Sequence, residues 1–364
     1  MMVVSKQYQI FFDFLRFCIS SESEIPSSLK EADWEELYAI AKKQCLVGVL
    51  FDGIKKLPAE QVGMKMGLLF QWIAKNRMLE KANVRLNDAA IQISEWFRKK
   101  GFRTCILKGQ GNALMYPNPY SRTPGDIDIW VEGGDKRVIS FVRSISPHEK
   151  ACYHHIEFPL YKGVEVEVHY RPSFLLCFWH NRKLQKYYER MKEEQFSHRV
   201  MLGKQGEIAI PMVEFNLIFQ LTHIYAHLMN EGIGLRQLVD YYYVLISDDL
   251  PLIRDRVRKE LKELGLWKFA GGIMYIMQEV FGMPASRLIV PPNEKYGKFV
   301  LNEVLEAGNF GKHDARNRFG RSKLGHNLQR VYRDIRLVRY FPAEALCEPV
   351  FRLWHFFWRV KNKK

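Results

Sequence analysis

Two aspartates one residue apart inside an apolar run constrain this chain more than any other feature. Leu107 to Val131 reads LKGQGNALMYPNPYSRTPGDIDIWV. Asp126 and Asp128 flank Ile127, and Ile129, Trp130 and Val131 follow, so the segment predicts a β-strand whose alternate residues share a face. Both carboxylates then point the same way. Aspartate is depleted in strands and neighbouring like charges repel, so a fold that keeps this pair has to offset its cost. A divalent cation would do so, and Mg²⁺ is commonly held by a few carboxylates together with substrate phosphates. Taken alone, the pair is also explained by a polar strand edge.

A third carboxylate is available downstream. Tyr153 to Tyr161 and Val164 to Arg171 are β-rich runs separated by Lys162-Gly163, a hairpin signal. In the second run Val164, Val166, Val168 and Tyr170 alternate with Glu165, Glu167, His169 and Arg171, which gives one apolar and one ionisable face. Solvated glutamates on a half-exposed strand account for that run by itself. Beside a glycine-containing turn and an Asp-x-Asp strand, it becomes a source of a third metal ligand.

The order Lys108-Gly109, Arg122, Gly125-Asp126-Ile127-Asp128 and then Glu167-Val168-His169 resembles the uncharacterised bacterial nucleotidyltransferase family of the DNA polymerase β-like superfamily. His227, followed by Gly234-Leu235-Arg236-Gln237-Leu238-Val239-Asp240, is similar to the His and Arg-x-x-x-Asp helical segment of that family. The resemblance runs from about Ala32 to Leu245. It implies two divalent ions, Mg²⁺ or Mn²⁺ in its place, held by three acids, and transfer of a nucleoside monophosphate from an NTP to an acceptor. Carried over residue by residue, the ligands are Asp126, Asp128 and Glu167, and Glu165 has the facing to replace Glu167.

Where active nucleotidyltransferases carry a Gly-Ser turn, this chain carries Lys108-Gly109-Gln110-Gly111. Two function classes therefore stay open. One is a metal-dependent nucleotidyltransferase with an unidentified acceptor hydroxyl on a small molecule, a sugar or a protein. The other is a catalytically silent module of the same fold that binds a nucleotide or nucleic acid.

Lys108 and Arg122 are candidate phosphate contacts, an ammonium suiting a point-charge grip and a guanidinium a bidentate one. Arg122 has a second reading, an ion pair with an aspartate that holds its loop. Gly109 and Gly111 would let the backbone approach phosphate, or serve only as a turn. His169 is placed to tune a metal or touch the acceptor, although hydrogen-bonded strand histidines are the commoner case. His227, Arg236 and Asp240 are candidate substrate-cleft residues; Arg236 and Asp240, four apart, could equally pair along one helix face.

The pattern predicts an α+β fold, a small mixed β-sheet embedded in a largely helical protein, and the resemblance implies that the sheet is a nucleotidyltransferase core. The expected divisions are an N-terminal helical region over 1–100, the α/β core over 101–173, a helical domain over 174–290 and a basic C-terminal helical region over 291–364, after Pro291-Pro292. One amphipathic helix is expected from Asp33 to Leu50, a long one from Gly67 to Lys100 stopped by Gly101, and others over Val213–Met229 and Leu235–Ile246. With 364 residues, 47% of them hydrophobic, the chain can bury a substantial core. Six cysteines without a Cys-x-x-Cys pair fit buried thiols and a cytoplasmic location. Residues 1–21 read as an amphipathic helix interrupted by Asp13 and Arg16, and no apolar run reaches the roughly 20 residues that span a bilayer.

The net charge of +15 favours anionic partners: an NTP, nucleic acid or an anionic membrane surface. Arg330, Arg333, Arg336 and Arg339 recur every third residue and would spread over one broad helix face suited to phosphates, or serve solubility. The aromatic tail Phe351, Trp354, Phe356, Phe357 and Trp358 has two readings, packing on the main body or lying on an anionic membrane.

Overall fold

In the computed structural model, residues 5–20, 24–58, 60, 63–159, 161, 163–203, 206–316 and 323–362 are described. Lys162, half of the expected hairpin turn, and residues 1–4 of the expected first helix lie outside them. The helices are α1 (Lys6–Ile19), α2 (Trp34–Lys43), α3 (Val47–Ile54), α4 (Met66–Lys99), α5 (Gln110–Ala113), α6 (Gly134–Ile145) and α7 (Phe178–Ser197). They continue as α8 (Val213–Asn230), α9 (Leu235–Leu245), α10 (Leu250–Glu263), α11 (Trp267–Glu279), α12 (Glu294–Ala307), α13 (Lys323–Val338) and α14 (Pro342–Lys361). The strands are β1 (Thr104–Ile106), β2 (Ile127–Val131), β3 (His155–Glu157), β4 (Val166–His169), β5 (Arg199–Leu202) and β6 (Gly206–Ala209). The fold is α+β, a small mixed sheet within a mostly helical body.

The main sheet has the order β1-β2-β4-β3, antiparallel at both outer pairs and parallel between β2 and β4. The register sets Asp128 beside Glu167 and Ile129 beside Val168, so the two carboxylates share a face. β2 is buried throughout. Ile127, Ile129 and Val131 join Val166 and Val168 in an apolar core closed by α4 and α6, through Ile93, Phe97 and Val142. The other face carries Trp130, whose ring lies 4.6 Å from Phe196 and 5.7 Å from Phe215. Burial on both faces explains the near-continuous apolar run of β2, and it means that Asp128 is enclosed by protein rather than set at a solvated edge.

A second core joins the N-terminal helices to the C-terminal ones. Phe11, Phe14 and Leu15 of α1 share it with Leu217, Tyr241, Phe269 and Val304. The helix expected from Asp33 to Leu50 is two helices. Cys45 breaks it with φ 56, and the Gln44 side chain is turned inward, donating to Val304 O at 3.3 Å and accepting from Leu235 N at 2.8 Å. These bonds tie the break to the start of α9 and to α12, a long-range requirement that local periodicity does not register. Gly101, at φ +80, ends α4 where expected. Pro291-Pro292 joins α11 to α12, which pack closely at Gly271 and Gly272: a Cβ on Gly272 would stand 3.0 Å from Tyr296 Cβ. The β5–β6 hairpin, Arg199–Leu202 against Gly206–Ala209, falls where only helices were expected.

The C-terminal arginines do not form one phosphate-facing surface. Arg333 is buried, and Arg336 reaches Glu303 of α12 at 3.1 Å, so only Arg330 and Arg339 of the four are exposed. A three-residue spacing advances 300° per step on a helix, so over four positions it winds away from any single face. The aromatic tail divides. Phe351 is buried 5.5 Å from Tyr153 and 5.3 Å from Phe174, whereas Phe356 and Phe357 are exposed.

Candidate active site

One cleft gathers residues from both halves of the molecule. Its walls include Lys108, Gly109, Arg122, Asp126 and Asp128 from the sheet side and Gln220, His223, Arg236 and Asp240 from α8 and α9. After β1 the chain turns at Gly109, whose φ of +64 favours glycine, and Lys108 is left pointing over β2. Its Nζ lies 3.1 Å from Asp128 Oδ1 and 3.1 Å from His223 Nε2.

Asp128, Glu167 and His169 bring ligand atoms within 4.8 Å of one another. His169 Nε2 sits 3.0 Å from Asp128 Oδ1 and 3.2 Å from Glu167 Oε2, and its Nδ1 is 3.3 Å from Arg171 O. Three acceptors around one ring are best served by an imidazolium, which donates from both nitrogens. Burial alone would lower the His169 pKa; the bonds to Asp128 and Glu167 outweigh it and hold the group up at about 9. Burial likewise opposes ionisation of Glu167, but His169 pulls it down to about 2. Asp128 is held below the usual carboxylate range, Lys108 and His169 prevailing over its burial. His223, by contrast, is driven well below its ordinary value by burial and then by Lys108, so it stands neutral and accepts from the ammonium.

Asp126 lies just before β2, half-buried and lining the cleft. It acts as a charge on Lys108 and on Glu167, although the tight cluster is Asp128, Glu167 and His169. The residues present fit a divalent cation in place of the proton that His169 holds between the two acids: the Asp128 and Glu167 carboxylates converge there, and Asp128 Oδ2 is buried without a hydrogen-bond partner among the described residues. Glu165 is exposed and lines a different depression with Glu157 and Tyr161, so it does not join the cluster. It precedes β4, and although its carbonyl accepts from Ile127 N at 2.9 Å, its side chain stays outside the cluster.

The structure reassigns several of the basic and polar positions. Arg122 is not free to grip phosphate. Its Nε and Nη2 donate to Asp240 Oδ1 and Oδ2, both at 2.8 Å, and Tyr116 adds a bond of 2.6 Å to Oδ1. Asp240 therefore pairs across the cleft with Arg122 and not along its helix with Arg236. Arg236 is left buried with no carboxylate in ion-pair reach among the described residues. Its Nη1 donates to Thr123 O at 3.0 Å, its Nε has no partner among the described residues, and its guanidinium lies 5.6 Å from the Phe310 ring. Burial, and then Arg122, depress its pKa.

Gly111 does not face the cleft: a Cβ there would come 3.0 Å from Ile210 Cγ2, so the position serves packing. His227 does not line the cleft either; its Nδ1 is 2.7 Å from Glu231, and its ring meets His223 at 4.2 Å. His223, one turn earlier on α8, takes the place expected of His227. His154 and His155 were also missed. His155 lies opposite His169 in the register and 3.3 Å from Glu167. Adjacent histidines in a β-rich run facing an ionisable strand were a readable signal, as was the i, i+4 spacing of His223 and His227.

The family model described as an uncharacterised nucleotidyltransferase matches residues 30–282. The chain belongs to that family. The match takes in every cleft residue on the sheet strands and on α8 and α9. No curated protein matches the chain. Among solved structures it is similar to an antigenic nucleotidyltransferase-like protein from Paracoccidioides brasiliensis, at 14% identity over 50% of this chain and 92% of that one, with a TM-score of 0.28. No described helix is long and apolar enough to cross a membrane.

Proposed function

We propose that this nucleotidyltransferase-family protein transfers a nucleoside monophosphate from an NTP to an acceptor hydroxyl on a small molecule, a sugar or a protein. The observation that carries the reading is the polarity of the cleft. Among the described residues, a carboxylate cluster with an unpartnered oxygen on Asp128 occupies one side, and Arg236, a buried cation without a carboxylate in ion-pair reach, stands on the other. A metal-bound triphosphate has the complementary charges.

In this reading Asp126, Asp128 and Glu167, with His169 beside them, would hold Mg²⁺ or Mn²⁺, which supplies activation of the acceptor hydroxyl and neutralises charge on the departing pyrophosphate. Lys108 and Arg236 grip phosphate oxygens, the first as a point charge and the second through a planar fork. Arg122, Asp240 and Tyr116 hold the loop and α9 at a fixed separation, so that the two grips stay in position. Gln220 and His223 line the floor, where a base or an acceptor would be read.

A specific contact favours the silent-module alternative: Lys108 lies on Asp128 while His169 bridges Asp128 and Glu167, so the acids already have cationic partners. Pyrophosphate release decides between the readings. The protein is incubated with each NTP, Mg²⁺ or Mn²⁺ and pooled acceptors, alongside a variant carrying Asp126→Asn and Asp128→Asn. Metal-dependent release that the variant lacks supports transfer. Binding of NTP by the wild type with no release under any condition supports the silent module and ends the enzymatic reading.

A further inference from the structure

The last two helices form a hairpin whose outer surface is unlike the rest of the molecule. Leu328, Val331 and Ile335 on α13 and Val350, Leu353 and Phe357 on α14 are each between 45% and 66% exposed. Both sets have i, i+3, i+7 spacing, so each forms one row along its helix. Large apolar side chains exposed singly are ordinary, but two rows on consecutive helices mark a surface that something covers.

The charges around these rows have one sign. The three acids of the described hairpin, Asp334, Glu344 and Glu348, are all buried. Its exposed charges are Arg330, Arg339, Arg359 and Lys361, all cationic. The inner side is anchored: Leu337 and Phe351 are buried in the main core, and Trp354 meets Tyr153 at 5.4 Å. The rows are therefore held outward by a packed scaffold rather than by a loose tail.

We infer that this hairpin docks the protein on an anionic lipid bilayer. Apolar rows enter the boundary between headgroups and acyl chains while the surrounding arginines and lysine meet lipid phosphates, which is how a basic amphipathic helix lies in the interface plane. Charge decides the occupant. A second copy would bring Arg330, Arg339 and Arg359 against their own like charges, and a nucleic-acid backbone would use the cations but leave the apolar rows in water. Neither helix is apolar enough to cross, so the hairpin lies on the surface.

Cosedimentation of the full chain with vesicles tests the inference, comparing phosphatidylcholine alone with phosphatidylcholine mixed with phosphatidylglycerol. Binding to the mixed vesicles is expected to be tighter by about tenfold or more and to weaken as salt rises. The pair Ile335→Glu and Phe357→Glu, and separately the pair Arg330→Glu and Arg339→Glu, are each expected to abolish it. Ile335→Ser with Phe357→Ser replaces the first pair should circular dichroism show it misfolded. The inference is overturned by absence of binding to mixed vesicles, or by apolar variants that bind as tightly as the wild type. It is equally overturned by a dimer in light scattering that these substitutions dissolve while vesicle binding is absent, or by salt-sensitive duplex binding without vesicle binding.

Discussion

Asp128 and Asp240 are both buried carboxylates on the walls of one cleft, each beside a cation, yet they do different things. Both oxygens of Asp240 are taken, Oδ1 by Tyr116 and Arg122 and Oδ2 by Arg122 and by Asn112 at 3.4 Å. Asp128 receives Lys108 and His169 on Oδ1 alone, and Oδ2 has no partner among the described residues. A saturated carboxylate is a staple between chain segments; one with an unused lone pair inside protein is a group awaiting a ligand. The difference also separates the two arginines, since Arg122 is spent on Asp240 and Arg236 is not.

The comparison breaks most readily at the staple. Arg122→Ala leaves Asp240 charged and buried, and the expected loss of stability is about 3–5 kcal/mol, read from denaturant unfolding. Asp128→Asn should cost less than Arg122→Ala, because Glu167 and Asp126 remain to face Lys108 and His169, while it abolishes metal-dependent turnover. Equal destabilisation by the two substitutions would refute the distinction.

The free guanidinium comes next. Arg236→Ala is expected to weaken NTP binding by roughly 10- to 100-fold, the worth of a charge-assisted hydrogen bond to phosphate, with unfolding stability unchanged or raised. Titration calorimetry with an NTP and thermal melts on the same protein check both halves; a large drop in melting temperature would make Arg236 structural.

Asp334, packed between α13 and α14, supplies a third kind of buried carboxylate. Burial, and then Glu348, raise its pKa to about 7. An acid whose folded pKa lies above its unfolded value stabilises while protonated, so this contribution is complete below about pH 4 and is lost as pH rises through 7. Asp334→Asn should therefore stabilise the protein at pH 8 by on the order of 1 kcal/mol and leave it unchanged at about pH 4. Melting curves at the two pH values decide it. The smallest effect is expected at His227→Ala, under about twofold on NTP affinity, because that ring is occupied by Glu231 and stands behind His223. His223→Ala in the same titration should exceed it.

The elements of the core follow from local pattern. Alternation anticipated the shared face of Asp128 in β2 and Glu167 in β4, and Gly101 ended α4, because facing in a strand and the stop of a helix depend on neighbours a few residues away. The β5–β6 hairpin was missed because its strands are four residues each and follow a long helix without a break in polarity. Residues 317–322, inside the basic C-terminal stretch, lie outside the described ones.

By itself, then, the sequence determined the α+β class, the Asp-x-Asp strand and the family to which residues 30–282 belong. It could not determine who partners whom. Arg122 and Asp240 are 118 residues apart and Lys108 and His223 are 115, so their meeting depends on how α8 and α9 pack across the sheet. The same holds for the C-terminal arginines, of which Arg333 is buried and Arg336 is paired by the packing of α13 on α12. Charge, periodicity and turn chemistry are properties of short windows, whereas the neutralisation of a buried charge is decided by whichever group the tertiary fold brings within about 3 Å.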